Sequence, residues 1–178
     1  AFWVDDARDA YATAMARGAA SVHGPEVSAD ADGEVVIAAI RTYGDTIHSI
    51  VERRNYHGLF MPGYRAVTPE FAPPPVGLMY VDHCVGNVEL GRMNAWVDFY
   101  AKVLGWGMST KKMPWGDMQV ASVGAVPVAT LFARCSDDKI SYCRWYPYFQ
   151  VASVDTVLKL ASFLGGKAQP SSTVTSLA

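Results

Sequence analysis

Apolar side chains follow helical spacing at the start of this chain and again further along it. Residues 7–15 place them three and four positions apart, which predicts one buried face of a helix. Asp5 or Asp6 stands where a helix N-cap belongs, and Gly18 follows where a helix ends. The short apolar stretch before this helix, residues 1–4, reads as the end of a strand.

The pattern changes from helical to extended spacing after this helix. Residues 30–33 carry a hairpin signal, and the apolar runs 35–40 and 46–53 are rich in β-branched side chains. We interpret residues 23–25, His-Gly-Pro, as a turn. The first unit is therefore predicted to be β-α-β-β-β.

The same order of elements recurs twice. A strand over 78–85 precedes an amphipathic helix that ends at Gly105, and a third unit opens with a strand over 146–151 and a helix capped by Ser153 or Asp155. The strands predicted to follow the second helix are 108–112, 119–123 and 126–132.

These repeats predict an α+β fold of βαβββ modules, with curved mixed sheets and helices outside. One module cannot cover its own apolar sheet face, so modules must pack together. We place the modules at 1–54 and 78–135, with a proline- and glycine-rich linker at 55–77. Residues 136–178 would be an incomplete third module, because no strands follow its helix and the last residues are small and polar.

Composition and charge argue against several classes of function. The net charge of −2 gives no electrostatic reason to bind nucleic acid. No apolar run approaches the roughly 20 residues of a membrane span, and no charged leader predicts a signal peptide. The cysteine count of 3 without a tight pattern favours free thiols in a reducing compartment. We therefore expect a cytoplasmic protein.

The stretch 81–93, Val-Asp-His-Cys-Val-Gly-Asn-Val-Glu-Leu-Gly-Arg-Met, is the most specific motif in the chain. With residues 35–40 and 50–64 it resembles the vicinal-oxygen-chelate superfamily, which is glyoxalase-like in fold. Within that superfamily, residues 1–105 resemble 4-hydroxyphenylpyruvate dioxygenase. Residues 106–178 look more like a small single-domain member. We interpret the chain as a recombined or engineered chimera of two relatives, and a divergent natural protein is the alternative.

The resemblance implies an iron site of two histidines and one glutamate, with His83 as the first histidine. No histidine follows it in the chain. Tyr148 or a neighbour stands where the second should be, and the strand that would carry the glutamate is missing. In the first module, Ser49 stands near the equivalent carboxylate position. The alternative ligand set is a rearranged cluster of His48, His83 and Glu52.

Strand alternation places Tyr146, Tyr148 and Gln150 on one face. With Ser49 they are candidates to line a cavity. The aromatic members would serve equally as core or as a contact surface.

Three functions follow. The first is a non-catalytic glyoxalase-like protein with no bound cofactor, which associates with itself, as a module-swapped dimer for example. The second is an Fe(II)-dependent dioxygenase that converts 4-hydroxyphenylpyruvate to homogentisate, in which another chain completes the site for Fe(II) or another divalent metal. The third is a metal-free small-molecule-binding protein similar to bleomycin-resistance proteins. We expect neither nucleic-acid nor membrane partners.

Overall fold

The computed structural model describes residues 1–114, 116–133 and 144–167. The elements of the first module are β1 (Phe2–Trp3), α1 (Ala7–Ala16), β2 (Ser21–Asp30), β3 (Gly33–Arg41) and β4 (Ile47–Glu52). They form a first sheet with the strand order β1-β4-β3-β2, in which β1 is parallel to β4 and the other pairs are antiparallel. The predicted β-α-β-β-β order is confirmed.

Helix α1 begins at Asp6, whose carboxylate accepts hydrogen bonds from the backbone N–H groups of Arg8 and Asp9 at 2.9 and 2.8 Å. These bonds satisfy amides that have no partner inside the helix. The apolar face of α1 then packs on the first sheet, and the core there is formed by Ala7, Ala14, Val36, Ala38, Ile40 and Ile50.

The predicted turn at His23-Gly24-Pro25 is wrong, because these residues lie inside β2. The pairing of β2 with β3 shifts register between Ser21 and His23 and again between His23 and Glu26. Strand β2 is also at the edge of its sheet. A proline has no backbone N–H to donate to a neighbouring strand, so it is tolerated in an edge strand or at a bulge.

The second module contains β5 (Tyr80–Val88), α2 (Met93–Leu104), β6 (Gly107–Met113), β7 (Gly116–Val123) and β8 (Val126–Ala133), and the chain continues with β9 (Trp145–Gln150) and α3 (Val154–Phe163). The strands form a second sheet with the order β6-β7-β8-β5-β9. Strand β5 lies between β8, to which it is parallel, and β9, to which it is antiparallel. Helix α2 ends at Gly105 in the left-handed conformation, with φ of 71°, as predicted.

The two modules pack against each other through side chains that cross from one core to the other. Val103 of α2 belongs to the core of the first module, and Tyr43 of the first module belongs to the core around Tyr100 and Leu131. Tyr43 lies against Gly86, where a Cβ would collide with the Tyr43 hydroxyl and with Leu131 Cδ2 at 2.7 Å. Gly86 therefore makes room for a tyrosine from the neighbouring module.

Residues 53–79 contain neither helix nor strand and are largely exposed. Near its start the segment is attached to the first module, because Asp30 accepts a hydrogen bond from the Gly63 N–H at 2.9 Å. Helix α3 is capped by Ser153, as predicted, and contains no buried residue. None of the helices in the described residues is long and apolar enough to cross a membrane. The α+β class with two curved mixed sheets is confirmed, while the module boundaries stay predictions.

Candidate functional site

His83 is a buried side chain of β5, with 7 % of its surface exposed. Its Nδ1 donates a hydrogen bond to the Asp82 carboxylate at 2.6 Å. Its ring stacks on Tyr148 of β9, with ring centres 4.7 Å apart and planes 12° from parallel. The imidazole is thus oriented by a carboxylate at one nitrogen and covered by a phenol ring.

The pairing of β5 with β9 places His83 directly opposite Tyr148, and Val85 opposite Tyr146. Tyr146, Tyr148 and Gln150 alternate with the more exposed Pro147 and Phe149, so they share a face of the strand. Ser49 lies in the other sheet, opposite Ala39. That Tyr146, Tyr148, Gln150 and Ser49 line a ligand cavity stays a prediction.

An iron site of two histidines and one carboxylate does not fit the residues that the structure describes. Within them, no group of three His, Cys, Asp or Glu side chains could hold a metal ion. The alternative cluster of His48, His83 and Glu52 is not formed. Glu52 accepts hydrogen bonds from the Ala7 N–H at 3.0 Å and from Arg54 Nε at 3.1 Å instead. Among the described residues, His83 is therefore a single metal-binding side chain without the other two ligands.

His48 lies in a buried hydrogen-bonded network between the modules. Its Nε2 contacts the Tyr100 hydroxyl at 2.9 Å, and that hydroxyl also contacts Thr42 Oγ1 at 2.7 Å. Phe2 packs on the imidazole with ring centres 4.7 Å apart. Burial lowers the pKa of His48 from 6.5 to about 4, so the ring is neutral at pH 7. Burial also raises the pKa of Tyr100.

A cavity of about 760 Å³ lies between the two modules, beside this network. Its walls come from β1, α1 and β4 on one side and from the second module and β9 on the other. Side chains that line it include Phe2, Arg17, His48, Cys84, Trp106 and Trp145. Phe2, Arg17 and Trp106 carried no functional signal in the sequence, because the cavity exists only once the modules pack.

The βαβββ strand order, the two curved sheets and the histidine-bearing strand define the class: the chain has the glyoxalase-like, vicinal-oxygen-chelate fold. No protein-family model matches it. The chain is similar to the 4-hydroxyphenylpyruvate dioxygenase of Aspergillus fumigatus, with 39 % identity over 122 residues, 64 % of this chain and 30 % of that protein. The Caenorhabditis elegans enzyme of the same name is 44 % identical over 107 residues, 58 % of this chain and 27 % of that protein.

Two solved structures show the same fold. The Mn(II)-bound glyoxalase from Novosphingobium aromaticivorans aligns with 92 % of this chain and 50 % of its own, at a TM-score of 0.55 and 14 % identity. A mutant 4-hydroxymandelate synthase from Streptomyces coelicolor aligns with 74 % of this chain and 39 % of its own, at a TM-score of 0.50 and 22 % identity. The chain spans about 30 % of the length of the curated relatives named above. The predicted resemblance to the superfamily is confirmed.

Proposed function

We propose that this chain is a non-catalytic protein of vicinal-oxygen-chelate fold that associates with itself. The observation that carries the proposal is the pair formed by His83 and Tyr148 across β5 and β9. The position opposite His83 holds a phenol. Non-haem Fe(II) oxygenases use two histidines and one carboxylate, and a tyrosine does not replace the second imidazole in that set.

Oxygen uptake tests the absence of catalysis. The purified chain is supplied with Fe(II), ascorbate and 4-hydroxyphenylpyruvate, and is compared with His83→Ala. We expect both proteins to consume oxygen at the same background rate, because in the described part of the chain His83 lacks two partner ligands. Turnover that His83→Ala abolishes would refute the proposal.

The open edge of the second sheet supports self-association. Strand β9 is last in the strand order, so no described strand pairs with its outer edge. Phe149 on this strand is 45 % exposed, and on the neighbouring α3 Phe163 is 85 % exposed. Unpaired strand edges with apolar side chains recruit further strands, and a second copy offers the same edge in return.

Light scattering after size exclusion measures this association. We expect a dimer in the unmodified chain and a monomer in Phe149→Lys, since a charge on β9 blocks edge pairing. Val126→Lys is the matched control, because Val126 is 63 % exposed on the same sheet but away from β9. A monomeric unmodified chain, or a dimer unaffected by Phe149→Lys, would contradict the interpretation.

A second candidate function is an Fe(II)-dependent dioxygenase whose site is completed by another chain. The geometry of His83 favours it, because its Nδ1 is hydrogen-bonded to the Asp82 carboxylate. Metal-binding histidines are usually oriented by such a carboxylate at the ring nitrogen that does not bind the metal. His83 would then supply one of the ligands, and the metal would supply Lewis acidity and oxygen chemistry. Oxygen uptake by a mixture of the chain with a histidine-bearing relative, lost in His83→Ala, is the expected result.

A third candidate function is metal-free binding of a small molecule, as in bleomycin-resistance proteins. The cavity between the modules favours it, because its volume of about 760 Å³ lies in the range of ligand sites. Quenching of tryptophan fluorescence by a bound compound tests it, since Trp106 and Trp145 line the cavity. The chimeric origin and the cytoplasmic location stay predictions.

A further inference from the structure

Tyr100 is a buried phenol whose hydroxyl has a proton acceptor beside it. The side chain is 0 % exposed, and its hydroxyl lies 2.9 Å from His48 Nε2 and 2.7 Å from Thr42 Oγ1. We propose that this pair is a redox site: a one-electron oxidant converts Tyr100 to a neutral phenoxyl radical while the phenol proton moves to His48. This redox role goes beyond the functions proposed above and needs neither a bound metal nor a ligand.

The hydrogen bonds around the phenol give its proton a direct path. A tyrosine hydroxyl has one hydrogen to donate, and a neutral imidazole has one nitrogen that accepts. Burial holds the pKa of His48 at about 4, so the ring is neutral at pH 7. With the imidazole hydrogen on Nδ1, Tyr100 donates to Nε2 and the Thr42 hydroxyl donates to the phenol oxygen. The separation of 2.9 Å lies within the reach that direct proton transfer needs.

Transfer of this proton makes the oxidation of Tyr100 easier. A phenol that has lost one electron is a radical cation, which is a strong acid and protonates even an imidazole of lowered basicity. In the proposed step the electron goes to the oxidant, the O–H bond of Tyr100 breaks and an N–H bond forms at His48 Nε2. The products are a neutral phenoxyl radical, an imidazolium and the reduced oxidant. When an electron returns to the ring, the proton returns from the imidazolium.

Aromatic rings connect the buried phenol to the surface. Since Tyr100 is fully buried, a dissolved oxidant cannot touch its ring and must first take an electron from a neighbour. Trp106 is half-buried and stacks on Tyr100, with ring centres 5.1 Å apart and planes 13° from parallel. Tryptophan, like tyrosine, gives up an electron readily, and stacked rings exchange electrons rapidly. Trp106 is therefore the entry point, and Tyr100 returns an electron to it.

Burial also protects the radical once it has formed. Exposed tyrosyl radicals are lost when they couple with one another or meet dissolved reductants. Tyr100 lies in the core with Tyr43, Val88 and Leu131, which excludes both reactions from its ring. The radical should therefore outlive those formed on exposed tyrosines of the same chain.

Flash photolysis tests the proton acceptor. A laser pulse excites a dissolved ruthenium polypyridyl complex in the presence of a sacrificial electron acceptor, and transient absorbance follows the tryptophan and phenoxyl radicals. We expect the phenoxyl signal to rise as the tryptophan signal decays. His48→Gln keeps a hydrogen-bonding group but cannot take up the proton, so the long-lived phenoxyl should form at least about 100-fold more slowly. His57→Gln changes an exposed histidine and should keep the rate of the unmodified chain.

Two pairs of variants locate the radical. Tyr100→Phe should remove the long-lived phenoxyl signal, whereas Tyr64→Phe, at a side chain that is 61 % exposed, should keep it. Trp106→Phe should slow the formation of this signal, whereas Trp3→Phe, at a side chain that is 72 % exposed, should not.

Electron–nuclear double resonance on the frozen, unmodified chain needs no substitution. With isotopically labelled histidine, the radical should couple to one histidine nitrogen and to one exchangeable proton, because the phenoxyl oxygen faces His48 Nε2. Any of four results would overturn the redox role: no long-lived phenoxyl, an unchanged rate in His48→Gln, a signal retained in Tyr100→Phe, or a radical without coupling to histidine nitrogen. None of them depends on oxygen uptake at His83 or on self-association, so this proposal and the proposed function fail separately.

Discussion

Acid should weaken the packing of the two modules through His48. This histidine is 6 % exposed and hydrogen-bonded to Tyr100 across the module interface. Burial holds its pKa at about 4. The His48 ring therefore stays neutral in the folded protein at pH values at which it is protonated in the unfolded chain.

The size of the effect follows from the pKa difference. Between pH 6.5 and about 4 the unfolded state binds a proton that the folded state does not, so stability falls as the pH falls through this window. Each pKa unit corresponds to about 1.4 kcal/mol, and a shift from 6.5 to about 4 gives a loss of about 3 kcal/mol across the window. Above pH 6.5 both states are neutral and the contribution is constant.

Urea denaturation followed by tryptophan fluorescence, repeated from pH 8 to pH 4, measures this loss. His48→Gln keeps a hydrogen-bonding group toward Tyr100 but cannot take up the proton, so we expect its stability to change much less between pH 6.5 and 4. His57→Gln is the control, because His57 is exposed, and it should retain the slope of the unmodified chain. Identical pH slopes for the unmodified chain and His48→Gln would refute the reasoning.

Three further substitutions test the packing and the site. Gly86→Ala places a methyl group against a tyrosine hydroxyl, so it should lower the free energy of unfolding, measured by urea denaturation, by about 1–3 kcal/mol. Gly107→Ala is the control and should leave this free energy nearly unchanged, because the nearest atom to its new Cβ lies at 3.7 Å. Tyr100→Phe removes a hydroxyl that is hydrogen-bonded to both Thr42 and His48, so it should lower the free energy of unfolding in the same assay by about 1–3 kcal/mol. Tyr148→His puts a second imidazole opposite His83, so Co(II) affinity measured by absorbance should rise, and the rise should vanish when His83 is also replaced by Ala.

Local signals in the sequence predicted the elements of this fold well. Three features depend on only a few neighbouring residues and could therefore be predicted from the sequence. They are the helix cap at Asp6, the left-handed Gly105 and the hairpin at residues 30–33. The family resemblance placed Tyr148 or a neighbour in the strand equivalent to that of His83, and the register of the sheet puts Tyr148 opposite His83.

Features that depend on contacts between modules were not predictable. Pro25 reads as a turn residue until the bulges of an edge strand accommodate it. The burial of His48 could not be predicted, because its partner Tyr100 lies 52 positions away in the sequence. The cavity needs Phe2 and Trp145 from opposite ends of the described chain, and no local pattern joins them.

Anaerobic titration with Fe(II) tests the central claim most directly: His83 faces a tyrosine, and the residues that the structure describes do not complete a set of metal ligands around it. Calorimetry on the unmodified chain and on His83→Ala compares the affinity with and without the imidazole. The account predicts weak binding that is the same in both proteins. Tight binding of one Fe(II) per chain that is lost in His83→Ala would contradict it.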